Sequence, residues 1–151
     1  MFIVNVEGAI YKDNKWLIGK RSEKEDHAAN TLSLIGGKVE QEGNTDTILE
    51  TTLRREITDE VGISVKHPIY ITSASFVTDT GIHVVNIVYL CEHQSGKAIA
   101  KDPNEIAAVY WMTTEEIIHG STIPGYVKAY IKQADRLKQK VITKTEKSFE
   151  T

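Results

Sequence analysis

Two arginines and three carboxylates fall within the seven positions 54–60, in the stretch LRREITDEVGI that runs from Leu53 to Ile63. Around them Leu49, Leu53, Ile57 and Val61 recur every four residues, which predicts a helix with one apolar stripe. With Ile57 at zero on a helical wheel, Glu60 falls near about −60°, Glu56 near about −100° and Asp59 near about −160°. The acids therefore border the stripe instead of opposing it, where a sheet edge or a loop can cover them. Carboxylates this close raise one another's pKa unless a cation sits among them. Hard oxygen ligands suit Mg²⁺ or Mn²⁺, ions that keep several waters and bind beside substrate phosphates. Two such ions about 4 Å apart can clamp the attacking and leaving oxygens of a phosphoryl displacement.

Taken alone, an acidic arc is also what a solvated helix face looks like, because charged side chains mostly stay exposed. Arg55 and Asp59, spaced i,i+4, would add only a few tenths of a kcal/mol to any ordinary helix. The helix by itself does not decide.

The elements that must position these acids can be read from the flanks. Thr47 and Glu50 have capping-box spacing and Gly62 stands where a left-handed C-terminal residue belongs, so the helix is expected from about Thr47 to Val61. Upstream, Phe2 to Tyr11 and Trp16 to Lys20 flank the turn residues of YKDNKW and predict a hairpin. SEKEDHAAN reads as a loop, and TLSLIGGKVE as a short strand ending in a Gly-Gly turn. Downstream, PIYITSASFVTD and IHVVNIVYLCE are two strand candidates joined by TDTG. The second is apolar on both alternating faces, which predicts cover on both sides. KDPNEIAAVYWM gives a loop and a strand. TTEEIIHG gives a short helix capped by Thr113 and Glu116, and Val127, Tyr130, Ile131 and Ala134 mark a last amphipathic helix. The polar KTEKSFET is expected to fray, leaving a single domain over 1–140 and a tail over 141–151. The order of elements predicts one layered α+β domain.

Composition sets the outer bounds. A chain of 151 residues, 40% hydrophobic and 26% charged, can bury one core without disulfides. Its net charge of −3 argues against a nucleic-acid polymer as partner. The single cysteine, Cys91, cannot form an internal disulfide, which points to a reducing, cytoplasmic compartment. No apolar run reaches the roughly 18 residues that a membrane span needs. The N-terminus lacks a basic n-region and is interrupted by Glu7, so it is read as structure and not as a signal peptide.

The acidic helix and the turn before it, GGKVEQEGNTDTILETTLRREITDEVGI from Gly36 to Ile63, together resemble the Nudix box. Its second half, Arg-Glu-aliphatic-any-Glu-Glu-any-Gly-aliphatic, is matched from Arg55 to Ile63, and its first half at Gly37 within GGKVE. Counterparts of the hairpin ending in Arg21, of the NEIAAVYW strand with Glu105 and Trp111, and of the short helix after it extend the resemblance over most of residues 2–135. Three departures stand out. Asp59 replaces the first Glu of the Glu-Glu pair, and Ile35 stands where many members have Pro. Gly37 to Arg55 is four residues longer than the usual spacing, so Thr47 occupies the place of the loop Glu that fixes the Arg. Glu42 or Asp46 is left to take over.

The resemblance implies an α/β/α sandwich with a mixed sheet between helices. It further implies hydrolysis of a phosphoanhydride in a nucleoside di- or triphosphate derivative, with Mg²⁺ as cofactor or Mn²⁺ in its place. Glu56 and Glu60 are the implied metal ligands, with Asp59 and the Gly37 carbonyl in support, and Arg55 orients the carboxylates. Either Glu105 or a Glu of the box is the general base. Arg21 and Gly36 are the candidates for substrate contact, with a surface position at a strand end the equal alternative for Arg21.

Other candidates are weaker. The five histidines have no ligand spacing, Cys91 sits in an apolar strand, and Trp16 and Trp111 suit packing better than base stacking. A non-catalytic nucleotide-binding module and an ADP-ribose or nucleotide-sugar pyrophosphatase remain alternatives. An isomerase would need further Cys and Glu residues that have no evident counterpart. A homodimer is left open, and no signature for NADH or coenzyme A derivatives follows the box.

Overall fold

The computed structural model describes residues 1–25 and 29–150. His27, one of the five scattered histidines, and part of the SEKEDHAAN loop lie outside the described residues.

The chain starts with the expected hairpin, β1 (Phe2–Lys12) and β2 (Lys15–Arg21), closed by the pairs Tyr11–Trp16 and Lys12–Lys15. Asp13 takes φ 55° in that turn. The buried Lys138 Nζ lies 4.6 Å from the centroid of the Tyr11 ring and donates to the Asp13 carbonyl, which ties the last helix to the hairpin. The expected short strand is two pieces, β3 (Leu32–Ser33) and β4 (Ile35–Lys38), which pair with β2 and β1 respectively. Helix α1 (Ile48–Val61) follows, then β5 (Ser64–Val65), β6 (Ile69–Val77), β7 (His83–Ser95) and β8 (Ile106–Thr113). Helices α2 (Thr114–Ile118) and α3 (Gly125–Glu150) close the chain.

The sheet is mixed. β1 runs parallel to β7 from Phe2–His83 to Tyr11–Glu92, whereas the other pairings are antiparallel. β7 is covered on both sides, as its doubly apolar pattern requires. Tyr89 and Cys91 enter a core with Leu53, Ile57 and Val61 of α1, while Val88 and Leu90 enter a second core with Val127, Ile131 and Ala134 of α3. Two helices thus sandwich one sheet. Both the α+β class and the α/β/α layering agree with the sequence.

Two local expectations need correction. Thr47 precedes α1 but has φ 51° and ψ 37° and makes no side-chain cap bond. In that left-handed conformation its hydroxyl turns to the Asp46 carbonyl, and Glu50 instead accepts from the Tyr89 hydroxyl at 2.9 Å. The predicted capping box is absent there, whereas the one at Thr113 and Glu116 forms in full. The KTEKSFET segment, expected to fray, continues α3 to Glu150. Leu137 and Val141 still pack on the core, and the solvated turns beyond them contain no Gly or Pro to end the helix.

Candidate active site

Helix α1 presents its acids in a graded way. Glu60, nearest the apolar stripe, is 4% exposed; Glu56 is half-buried and Asp59 is exposed. This is the order of their angular distance from Ile57. The wheel therefore gives burial as well as direction.

Strand β4 brings the Gly-Gly turn up against this helix. A side chain on Gly36 would run into the Val6 carbonyl of the paired strand β1. At Gly37 an added Cβ would lie 2.5 Å from the Glu56 carboxyl carbon. The Glu56 carboxylate thus rests directly on the Gly37 backbone. A side chain at this position would push the Glu56 carboxylate aside.

The loop before β8 supplies the third carboxylate. Its amides cap the end of α1: Ile99 N donates to the Val61 carbonyl at 3.1 Å and Lys101 N to the Glu60 carbonyl at 2.9 Å. The Glu105 carbonyl accepts from Ser22 N at 2.9 Å, beside Arg21. So anchored, Glu105 lines the same small cavity as Glu60. Burial, then the charges of Glu56 and Glu105, push the Glu60 carboxyl up to about 9, against a smaller opposing pull from Arg21. Glu56 is also raised, chiefly by burial, while Arg55 works the other way.

Arg55 donates to Glu42 Oε1 at 2.7 Å, and this bond is the main cause of its raised pKa. Of the two acids that the lengthened loop offered, Glu42 makes this contact.

Two adjoining cavities lie beside these groups. The smaller, about 200 Å³, is lined by Arg21, Gly36, Gly37, Glu60 and Glu105 among others. The larger, about 540 Å³, lies on the α3 face of the sheet and is mostly apolar, with Phe76 of β6 and Tyr126 of α3 on its wall. Asn5, Glu7, Arg21 and Ser33 line both. Of the predicted site residues, Arg21, Gly36, Gly37, Glu60 and Glu105 come together at the smaller cavity and Glu56 stands against Gly37. Arg55 and Asp59 stay on its outer, solvent side.

Sequence reasoning missed the polar floor between the cavities. Asn5 and Asn86 face each other across β1 and β7, with Asn5 Nδ2 donating to Asn86 Oδ1 at 2.9 Å. Asn86 Nδ2 in turn donates to Glu7 Oε1 at 2.6 Å. Burial raises the Glu7 carboxyl, and the Asn86 bond and Arg21 oppose that rise. The signal was present. Asn86 is a polar interruption between Val84 and Val88, and Asn5 and Glu7 alternate with Ile3 on one face of β1.

The remaining candidates behave as packing. Cys91 is buried, and burial pushes its thiol up to about 12. Trp16 and Trp111 pack in or against the two cores.

The donor set suits a hard dication in kind. Carboxylates from two elements, a backbone carbonyl at Gly37 and a Glu60 that burial disfavours as an isolated anion all call for positive charge. Among the described residues no three such donors are gathered into a ready cage. The set fits in chemistry and charge, and is not closed.

An acidic, glycine-floored cavity thus lies between a helix and a mixed sheet. The NUDIX domain family model matches residues 1–132, and the chain belongs to that family, as a Nudix-type hydrolase. Nudix hydrolases generally use divalent metal ions and act on small molecules. Among solved structures, the chain is similar to a MutT NUDIX hydrolase from Burkholderia pseudomallei, at 25% identity and TM-score 0.75. That match covers 88% of this chain and 98% of the other. It is similar also to a MutT protein from Methanosarcina mazei Go1, with 24% identity, TM-score 0.76 and coverage of 91% and 95%. A UDP-X diphosphatase shares the fold at 17% identity and TM-score 0.68, with coverage of 92% and 64%. No curated protein matches the chain. Among the described residues no helix is long and apolar enough to cross a membrane.

Proposed function

We propose that the chain catalyses Mg²⁺-dependent hydrolysis of a phosphoanhydride bond in a nucleoside di- or triphosphate derivative. The observation that carries this is that buried Glu60 and Glu105 line one small cavity together with Gly37, against which Glu56 rests.

Glu56 and Glu60 would hold the metal, with Asp59 through water and the Gly37 carbonyl as further oxygens. When bound, the ion supplies positive charge to the phosphate oxygens and acidifies water. Glu105 receives the proton of the attacking water as the P–O anhydride bond breaks and a phosphate leaves. It lines the cavity beside Glu60 and comes from outside the box helix, which favours it over a box carboxylate as base. Arg55, held by Glu42, keeps the outer face of Glu56 and Asp59 compensated. Arg21, between the cavities, is placed to take a substrate phosphate. Gly36 lines the same cavity and is assigned to that group with it. The similar structures are named for MutT hydrolases and a UDP-X diphosphatase, so triphosphates and nucleoside-diphosphate conjugates are both substrate classes to test.

The test is a Mg²⁺-dependent hydrolysis screen over nucleoside triphosphates, ADP-ribose and nucleotide sugars, with Glu60→Gln as control. Wild type should turn over at least one class, and Glu60→Gln should lose on the order of 10²-fold or more in kcat. Nucleotide binding without turnover by wild type would replace the hydrolase assignment with a binding module. Full activity in Glu60→Gln would remove Glu60 from the metal set.

A further inference from the structure

We propose that Asp102 is a positioning residue for the reaction, because its side chain closes the turn that presents Glu105 to the cavity beside Glu60. The inference rests on the reading of Glu105 as the base, and it states what holds that base in place.

Glu105 is exposed, so side-chain packing does little to fix where its carboxylate reaches. A base must nevertheless come within about 3 Å of the proton that it takes, or one water further. The backbone from which Glu105 hangs therefore has to be held.

Asp102-Pro103-Asn104-Glu105 has the composition of a tight turn, with Asp first and Pro second. The Asp102 carbonyl accepts from Glu105 N at 3.0 Å and from Ile106 N at 2.9 Å, which closes it. Within the turn Asp102 Oδ1 accepts from Asn104 N at 3.2 Å. An aspartate that takes the amide two residues on holds the chain in the turned conformation. Asp102 is half-buried, whereas Lys101, Pro103 and Asn104 around it are exposed.

The turn is tied down on both flanks. On one side Lys101 N and Asp102 N donate to the Glu60 carbonyl, at 2.9 and 3.4 Å. On the other, Ser22 N donates to the Glu105 carbonyl at 2.9 Å, and Lys24 Nζ donates to Asn104 Oδ1 at 3.4 Å. Asp102 stands between the two carboxylate-bearing backbones. Its N–H meets Glu60, its carbonyl meets Glu105, and its side chain shapes the turn that joins them. Of these contacts only the last depends on residue type, so it is the one that a substitution tests.

A solvated acid present for its charge alone makes the opposite prediction from a turn-closing acceptor. Asp102→Asn removes the charge and keeps an oxygen that can accept from Asn104 N, whereas Asp102→Ala removes both. The experiment is steady-state kinetics of the full chain with Mg²⁺ and nucleotide for these variants, for Glu105→Gln, and for Asp102→Ala combined with Glu105→Gln. Asp102→Ala should lower kcat on the order of tenfold with KM within about twofold of wild type, and Asp102→Asn should restore kcat to within about twofold. In the Glu105→Gln background Asp102→Ala should cost nothing further, because both act along one path. Hydrogen exchange at the Glu105 amide gives a readout without turnover: about tenfold faster in Asp102→Ala, unchanged in Asp102→Asn. Thermal melting checks that each variant is folded. Equal losses of kcat in Asp102→Ala and Asp102→Asn, or an undiminished effect of Asp102→Ala in the Glu105→Gln background, would overturn the positioning role. So would an unchanged exchange rate in Asp102→Ala. A large loss in Glu105→Gln with none in Asp102→Ala would sink the positioning role alone. Full kcat in Glu105→Gln would sink the base assignment, and with it the part of Asp102 in the reaction.

Discussion

The two cavities share Asn5, Glu7, Arg21 and Ser33, yet they are assembled in opposite ways. The acidic one draws most of its chemistry from a strand turn and the helix that follows it, closed by one loop pinned to that helix's end. The larger pocket takes its walls from β1, β6, β7 and the start of α3, elements spread from Ile3 to Tyr130. The groups proposed to react are encoded locally, whereas the walls of the larger pocket are encoded by packing. The carboxylates of the two regions are also buried against different partners: Glu60 against like charges, Glu7 against an amide.

That difference should dominate the pH dependence of metal-free stability. Glu60 ionises at about 9 in the folded state against an ordinary 4.5, so above about 4.5 unfolding releases a proton that the native state retains. Stability therefore falls as pH rises from about 4.5 towards 9, with a slope of at most about 1.4 kcal/mol per pH unit. Melting curves across that window should show the fall in wild type and a much flatter profile in Glu60→Gln. Glu7→Gln should flatten the profile as well, because burial raises that carboxyl too, against the opposing Asn86 bond and Arg21. Mg²⁺ should raise Tm most at the alkaline end. A Glu60→Gln profile as steep as that of wild type would overturn the reading.

The next largest effect lies on the outer side of the acidic cavity. Glu42→Ala leaves Arg55 without its 2.7 Å partner, and loss of such a support group costs on the order of 10–100-fold in activity. The expected loss is in kcat, with KM for nucleotide nearly unchanged, and Asp46→Ala serves as a near-neutral control. A KM effect from Glu42→Ala would mean that the lengthened loop belongs to substrate binding, and the division between the two regions would blur.

The same division explains what was legible in the sequence. The α1 stripe, the burial order of Glu60, Glu56 and Asp59, the Gly62 cap and the hairpin all follow from periodicity and local turn chemistry. The contact between Glu42 and Arg55 did not, because choosing it over Asp46 requires the path of the loop from Val39 to Thr47. Asn86 was passed over because one polar residue barely perturbs an apolar alternation. Its meaning appears only when Asn5 is set opposite it by the parallel pairing of strands about eighty residues apart. Glu7 was read as an interruption for the same reason.

The smallest effect tests how far local encoding can be trusted at helix starts outside the two cavities. Two T-x-x-E sequences precede helices, Thr47 to Glu50 and Thr113 to Glu116, and they look equivalent in the chain. At Thr113 the extended backbone lets the hydroxyl accept from Glu116 N at 3.2 Å while Glu116 Oε1 accepts from Thr113 N at 3.0 Å. At Thr47 the positive φ turns the hydroxyl away, and Glu50 is held by Tyr89, whose phenol burial and Glu50 push up to about 12. Thr113→Ala should then cost about 1 kcal/mol by denaturant unfolding. Thr47→Gly should be stabilising by several tenths of a kcal/mol, because it relieves a β-branched residue in a left-handed conformation and removes no cap. Equal losses at the two threonines would mean that Thr47 caps α1 in solution, and that the contact from β7 yields to the local motif.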